Sequence, residues 1–183
     1  MQEAFPPMKC CRFGLILFLA IVAATSSPVA SAQTGIYANF SVANLNVANT
    51  GWLYGPTIGA YFDTGRLGFF STGLDLRGSF LSDGGNTQLD SGLAGPRVAV
   101  HPRILPINPY IEAVGGVGHA KYGQGSSQTT ATKFEYQFLG GVDMTFLPRF
   151  DWRVVEFSYG SLSGLNGGFH PKTISTGLVF RLP

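Results

Sequence analysis

The residues that could do chemistry are few. Histidine occurs three times, as His101, His119 and His170, and no two stand four apart as the ligands of a helical zinc site do. The only cysteines, Cys10 and Cys11, are neighbours near the N-terminus. A hydroxyl nucleophile needs a base within hydrogen-bond reach. Ser158, with Glu156 beside it and His170 further along the chain, is the one set that comes near this requirement. Alternation puts Ser158 on the face of Glu156 and leaves His170 in the following connection, so the pair would meet only if that segment moved. Asp83-Gly84-Gly85-Asn86, running on to Asp90, is acidic and glycine-rich but lacks the ligand spacing of a calcium loop. Gly164-Leu165-Asn166-Gly167-Gly168 is not followed by a helix, so it is turn chemistry and not a phosphate cradle. Asn39-Phe40-Ser41 matches a glycosylation sequon, yet it falls inside an expected strand. No metal or cofactor is expected, and no enzymatic activity.

The elements that must position these residues are legible in the composition. The 183 residues are 45% hydrophobic, 13% aromatic and only 12% charged, which excludes a disordered charged tail. Twelve Lys+Arg against ten Asp+Glu leave a net charge of +2 without a basic cluster, so no nucleic-acid partner is expected. Twenty-five glycines argue against a mostly helical chain, since each interior glycine costs a helix about 1 kcal/mol.

The N-terminus reads as an address. Lys9 and Arg12 precede an apolar run from Phe13 to Ala24, and Ala30-Ser31-Ala32 is the small-x-small pattern of a cleavage site. A helix of that run would be about 18 Å long, too short for a ~30 Å hydrocarbon core. Residues 1–32 are therefore expected to be a cleavable signal peptide and residues 33–183 a single exported domain. That domain would contain no thiol and so no disulfide.

Period-two patterns and turn residues predict eight strands, at about 36–43, 54–62, 67–81, 93–104, 109–121, 134–147, 152–160 and 173–182. The predicted connections alternate in length. Those at 44–53, 82–92, 122–133 and 161–172 are long and polar; those at 63–66, 105–108 and 148–151 are tight. Such alternation is the signature of an up-and-down transmembrane barrel. Charge parity agrees with it. Asp75 with Arg77, Arg97 with His101 and Arg103, and Glu135 with Asp143 each share a face, opposite aliphatic and aromatic residues. The expected lumen holds Asp75, Glu112, Glu135, Asp143 and Glu156 against Arg77, Arg97, Arg103 and Arg181, with His101 among them. Eight strands enclose room for side chains and not for a channel, so these charges must pair. Arg153 and His119 break parity and are read as strand-end residues reaching the interface. Aromatic bands are expected at both ends: Phe62, Phe70, Phe146 and Phe180 at the tight-turn end, Tyr54, Phe80, Tyr136 and Tyr159 at the other.

On these features the chain resembles the small eight-stranded outer-membrane barrels, the OmpA-like and opacity-protein-like kind. Its final strand, Ser175-Thr176-Gly177-Leu178-Val179-Phe180-Arg181-Leu182, is similar to their C-terminal assembly signal, with Ser175, Gly177, Phe180 and Leu182 in the pattern positions. Pro183 departs from the aromatic residue on which such chains more often end. The resemblance implies an all-β, eight-stranded antiparallel transmembrane barrel in the outer membrane, with outer-membrane lipid and the barrel-assembly machinery as partners. It also implies a non-enzymatic role in envelope structure or surface contact through four long loops, with no wall-binding domain. Two other readings stand beside it: a soluble periplasmic barrel or sandwich holding a small apolar ligand, and a lipid A-modifying barrel enzyme using Ser158 and His170.

Overall fold

The computed structural model describes residues 33–45, 51–85, 87–102, 104–122, 129–163 and 170–182. The signal-peptide reading of residues 1–32 lies outside them. Eight strands follow one another in chain order: β1 (Gln33–Asn44), β2 (Leu53–Leu67), β3 (Phe70–Ser82), β4 (Gln88–Val100), β5 (Ile107–Tyr122), β6 (Thr129–Leu147), β7 (Phe150–Leu162) and β8 (Lys172–Arg181). Each pairs antiparallel with the next, and β8 returns to β1, from Gly35↔Arg181 to Asn44↔Lys172, which closes the barrel. Closure leaves no unpaired edge, the condition for a sheet to span lipid. The predicted all-β, eight-stranded up-and-down barrel is the observed one.

Strand ends differ from the sequence pattern for two reasons. First, β4 and β6 begin at Gln88 and Thr129, not near 93 and 134, because polar residues that read as loop continue the ladder: Thr129–Lys133 pair with Gly118–Tyr122. Second, turn chemistry moves the tight connections. β2 runs through the expected turn at 63–66 by means of a bulge at Thr64 and turns at Gly68-Phe69. A two-residue hairpin needs positive φ, which Gly68 supplies at 65°. The β6–β7 connection is likewise two residues, Pro148-Arg149, while β4–β5 takes the longer 101–106. The strict long–short alternation is therefore softened, although the start of β1, the end of β8 and the two tightest turns share one rim.

The wall is inverted relative to a water-soluble protein. Phe40, Ile58, Leu74, Phe138, Phe157 and Leu178 are each more than half, or nearly half, exposed on the outer face, while Asp75, Arg97, Glu135, Arg153 and Glu156 are buried. Outer-face aromatics gather toward both ends, with Phe62, Phe70 and Phe146 at the tight-turn rim and Tyr54, Phe80, Tyr136 and Tyr159 at the other, as predicted.

Candidate functional site

The interior is layered, not uniformly ionic. Toward the loop end, Ala43, Leu45, Leu53, Leu81, Leu89, Ala120 and Leu162 form a buried apolar plug. Below it lies a belt of charge. At the tight-turn end, polar residues close the other mouth.

The belt follows from pleat geometry. Asp75 and Arg77 are two residues apart on β3, so both point inward, and Arg77 Nε donates to Asp75 Oδ1 at 3.0 Å. The same guanidinium reaches Glu156 Oε1 on β7 at 2.9 Å and Glu112 Oε2 on β5 at 2.5 Å. Arg97 on β4 donates to Glu112 Oε1 at 2.6 Å and to Asp143 Oδ2 on β6 at 3.3 Å. Arg153 on β7 donates to Asp143 Oδ1 at 2.9 Å and to Glu156 Oε2 at 3.1 Å. Three arginines and four carboxylates thus make one continuous network across five strands. Tyrosines complete it. Tyr37 Oη donates to Asp75 at 2.9 Å and Tyr110 Oη to Glu156 at 2.6 Å. Arg97 lies over the rings of Tyr61 and Tyr110, at 4.3 and 4.0 Å, and Arg153 over Tyr37 and Tyr110, at 4.2 and 4.7 Å. A desolvated ion in this setting costs several kcal/mol unless it is compensated, and each of these has at least two partners.

Several predicted lumen residues take other places. Glu135 is buried but meets no arginine; it accepts from Ser91 Oγ at 2.5 Å and Gln137 Nε2 at 2.6 Å. His101 lies just past β4 at the tight-turn mouth, with Nε2 2.9 Å from Ser71 Oγ, Nδ1 3.0 Å from Asn108 Oδ1 and Asp63 at 4.0 Å. Arg181 pairs at the same end with Asp151 Oδ1 at 2.8 Å. Arg103 lies outside the described residues. His119 is exposed, its Nδ1 2.8 Å from Thr132 Oγ1, as a strand-end residue should be.

Arg153 is the main correction. Parity placed it at the interface, whereas its side chain is wholly buried at the centre of the network. The cause is a β-bulge: β6 pairs Val142↔Val155 and then Asp143↔Arg153, so Val154 has no opposite number and Arg153 turns inward together with Glu156. Asp63, Asp151 and the three lumen tyrosines were also missed. A cross-strand signal existed for the tyrosines. Tyr37 sits opposite Gly59, Tyr61 opposite Gly35 and Tyr110 opposite Gly141, and in each case a Cβ on the glycine would overlap the ring. The missing side chain is the space in which the ring lies.

The possible chemical sets are not assembled. Ser158 is buried inside, while His170 stacks on outward-facing Tyr159 with ring centroids 6.2 Å apart. Asp83 Oδ1 accepts the N–H groups of Gly85 and Thr87 at 2.7 and 3.1 Å, a turn closed on itself. Among the described residues, no group of three or more His, Cys, Asp or Glu is arranged to hold a metal ion. The 164–168 segment lies outside the described residues. The space among Thr57, Gln137, Ser158 and Thr173 amounts to about 10 Å³, room for a water at most and not for a small apolar ligand. Of the predicted assembly-signal positions, Ser175 hydrogen-bonds Ser41 across the closing seam at 2.8 Å and Phe180 packs on Phe150 at 5.0 Å. Gly177 lies against Asn39, and Leu182 is just past the strand.

No family model and no curated protein sequence matches the chain. Solved structures do. It is similar to Neisserial surface protein A, with 16% identity and a TM-score of 0.57 over 84% of this chain and 98% of that one. The N-terminal β-barrel domain of Pseudomonas aeruginosa OprF gives 19% and 0.54, over 83% of this chain and 100% of the other. The attachment invasion locus protein Ail of Yersinia pestis gives 13% and 0.51, over 82% and 97%. At such identities the likeness is one of fold. The chain has the architecture of the small eight-stranded outer-membrane β-barrels, with an apolar outer face of the kind that lipid covers.

Proposed function

We propose that this protein is a non-enzymatic outer-membrane barrel whose closed wall serves envelope structure and carries its loop end as a contact surface. The observation that supports this best is the interior. An apolar plug stands above a closely paired ionic belt, and the interior space beside that belt is about 10 Å³; the larger apolar concavity, about 800 Å³ beside Ile36, Ile58, Leu76 and Phe80, is open on the wall. The work of the molecule is then left to its wall and loops. Gly51 and Trp52 lie exposed at the loop end, and an added side chain at Gly51 meets nothing within 4 Å.

The test uses the full chain expressed in cells. It should fractionate with detergent and run differently on a gel when unheated. Gly51→Cys should react in intact cells with a maleimide that cannot cross the outer membrane, whereas Phe138→Cys should not. Release by osmotic shock would favour the ligand carrier. An altered lipid A profile that reverts in Ser158→Ala or His170→Ala would establish the enzyme instead.

A further inference from the structure

The tight-turn rim carries a combination of side chains that the ionic belt does not explain. At the β2–β3 turn, Arg66 is followed by Phe69 and Phe70, which are 48% and 54% exposed. At the β6–β7 turn, Arg149 stands between Leu147 and Phe150, 49% and 40% exposed. Between β4 and β5, Ile104 is 94% exposed and Leu105 55%. Large apolar side chains are thus presented at all three short connections, with an exposed arginine beside them at two.

Among the described residues the exposed charge on this rim has one sign. The acids there, Asp63 and Asp151, are buried; Asp151 is paired with Arg181, and Asp63 feels the charge of Arg66 from beyond ion-pair distance. Arg66 and Arg149 are exposed, and neither has a carboxylate within ion-pair distance among the described residues. The loop end differs, since Asp83 and Asp90 stand there among Lys121, Lys133 and Lys172. An arginine flanked by exposed aromatics suits one boundary above others: acyl chain on one side, phosphate on the other. The guanidinium presents a planar fork that matches a phosphate oxygen pair, and the rings sit at headgroup depth.

We propose that the tight-turn rim is a binding collar for anionic phospholipid headgroups of the leaflet it faces, with Arg66 and Arg149 holding the phosphates and the turn apolars anchoring among the chains. This inference rests on the outer-membrane reading above.

The test is a native mass-spectrometric titration of the folded, detergent-solubilised barrel with phosphatidylglycerol and with phosphatidylcholine of matched chains. A basic residue near an anionic surface is worth a factor of about five. The two turns stand on opposite sides of the closed barrel, so each headgroup meets one arginine, and the barrel should bind phosphatidylglycerol about fivefold more tightly than phosphatidylcholine. Arg66→Gln with Arg149→Gln should erase that preference, weakening phosphatidylglycerol binding several-fold more than phosphatidylcholine binding. Lys121→Gln with Lys172→Gln, at the opposite end, should leave both unchanged. Equal affinity for the two lipids, or a preference that survives the arginine pair, overturns the collar. Each variant is first checked for heat-modifiable migration. A folded barrel with no lipid preference refutes the collar alone, whereas a chain that forms no barrel in detergent refutes the membrane reading and the collar together.

Discussion

Replacing Arg153 with methionine separates the bulged register from the regular one by the sign of its effect. In the structure Arg153 is wholly buried, bonded to Asp143 and Glu156 and stacked on two tyrosines. Removing one member of a buried ionic cluster costs about 3–5 kcal/mol, because the partners stay desolvated without their counter-charge. Asp143 would keep Arg97 at 3.3 Å, and Glu156 would keep Arg77 at 2.9 Å, which points to the lower half of that range. Had the strand continued without its bulge, Arg153 would face lipid. There an arginine costs roughly 2–4 kcal/mol at mid-bilayer and less toward the rim, and Arg153 stands three residues from the start of β7, so methionine would relieve about 1–2 kcal/mol. The two registers therefore differ by about 4–5 kcal/mol. Urea unfolding of the barrel in phospholipid vesicles, followed by the fluorescence of Trp52 and Trp152, reads the difference as a shift of midpoint at constant slope. Arg153→Met should be destabilised by about 3 kcal/mol. A variant as stable as the parent, or more stable, would refute the inward placement and the bulge with it.

Other perturbations test the faces and the packing. Phe138, 61% exposed on the wall, should lose about 2–4 kcal/mol as Phe138→Arg, whereas Gln137→Arg would set a guanidinium beside the cation-free Glu135 and be tolerated far better in the same assay. Glu135→Gln removes a charge that no arginine answers and should leave the unfolding midpoint nearly unchanged or raised; Glu112→Gln unbalances both Arg77 and Arg97 and should lower it by about 3 kcal/mol. Gly116→Ala drives a Cβ into the Gly92 carbonyl, for a loss of about 1–3 kcal/mol, while Gly92→Ala meets nothing within 4 Å and should stay within about 0.5 kcal/mol. Unheated gel mobility across a temperature series ranks these glycine variants directly.

What the sequence revealed and what it hid divide on one physical line. Parity is a local rule, and wherever the pleat is regular it placed residues correctly: Asp75 with Arg77 on β3, Ser175 with Val179 on β8, Phe138 outward and Gln137 inward on β6. It failed where the ladder slips. The bulge at Val154 reverses the facing of Arg153, and the bulge at Thr64 carries β2 past its expected turn. Neither leaves a mark in one strand read alone, since a bulge is a property of two strands in register. The same holds within the lumen. That charges face inward was legible. That Glu135 should find Ser91 and Gln137, while Arg77 gathers three carboxylates from three strands, depends on the stagger of the closed barrel, which no single strand encodes. The leucine plug went unrecognised because Leu81, Leu89 and Leu162 share the inward parity of the charged residues, where an apolar residue inside looks like an error of phase.

That plug and belt together explain why so narrow a barrel keeps so many charged groups inside. Buried ion pairs are weak contributors to stability, and a well-packed apolar interior often does as well. In this wall, however, the outside is already apolar. An apolar inside would make the two faces alike, and a one-residue slip of any strand, which exchanges its faces, would then cost little. With Arg77, Arg97 and Arg153 inside, a slip of β3, β4 or β7 sets an arginine against lipid at roughly 2–4 kcal/mol and strands its carboxylates as well. The belt thus acts less as glue than as a lock on register. It lies between the two aromatic bands, where the penalty for facing lipid exceeds that at either rim. At the level of the outward Tyr54 and Phe80, toward the headgroups, the penalty for a misplaced charge fades, so the loop end can close its mouth with Leu53, Leu81 and Leu89 and needs no arginine to hold its phase.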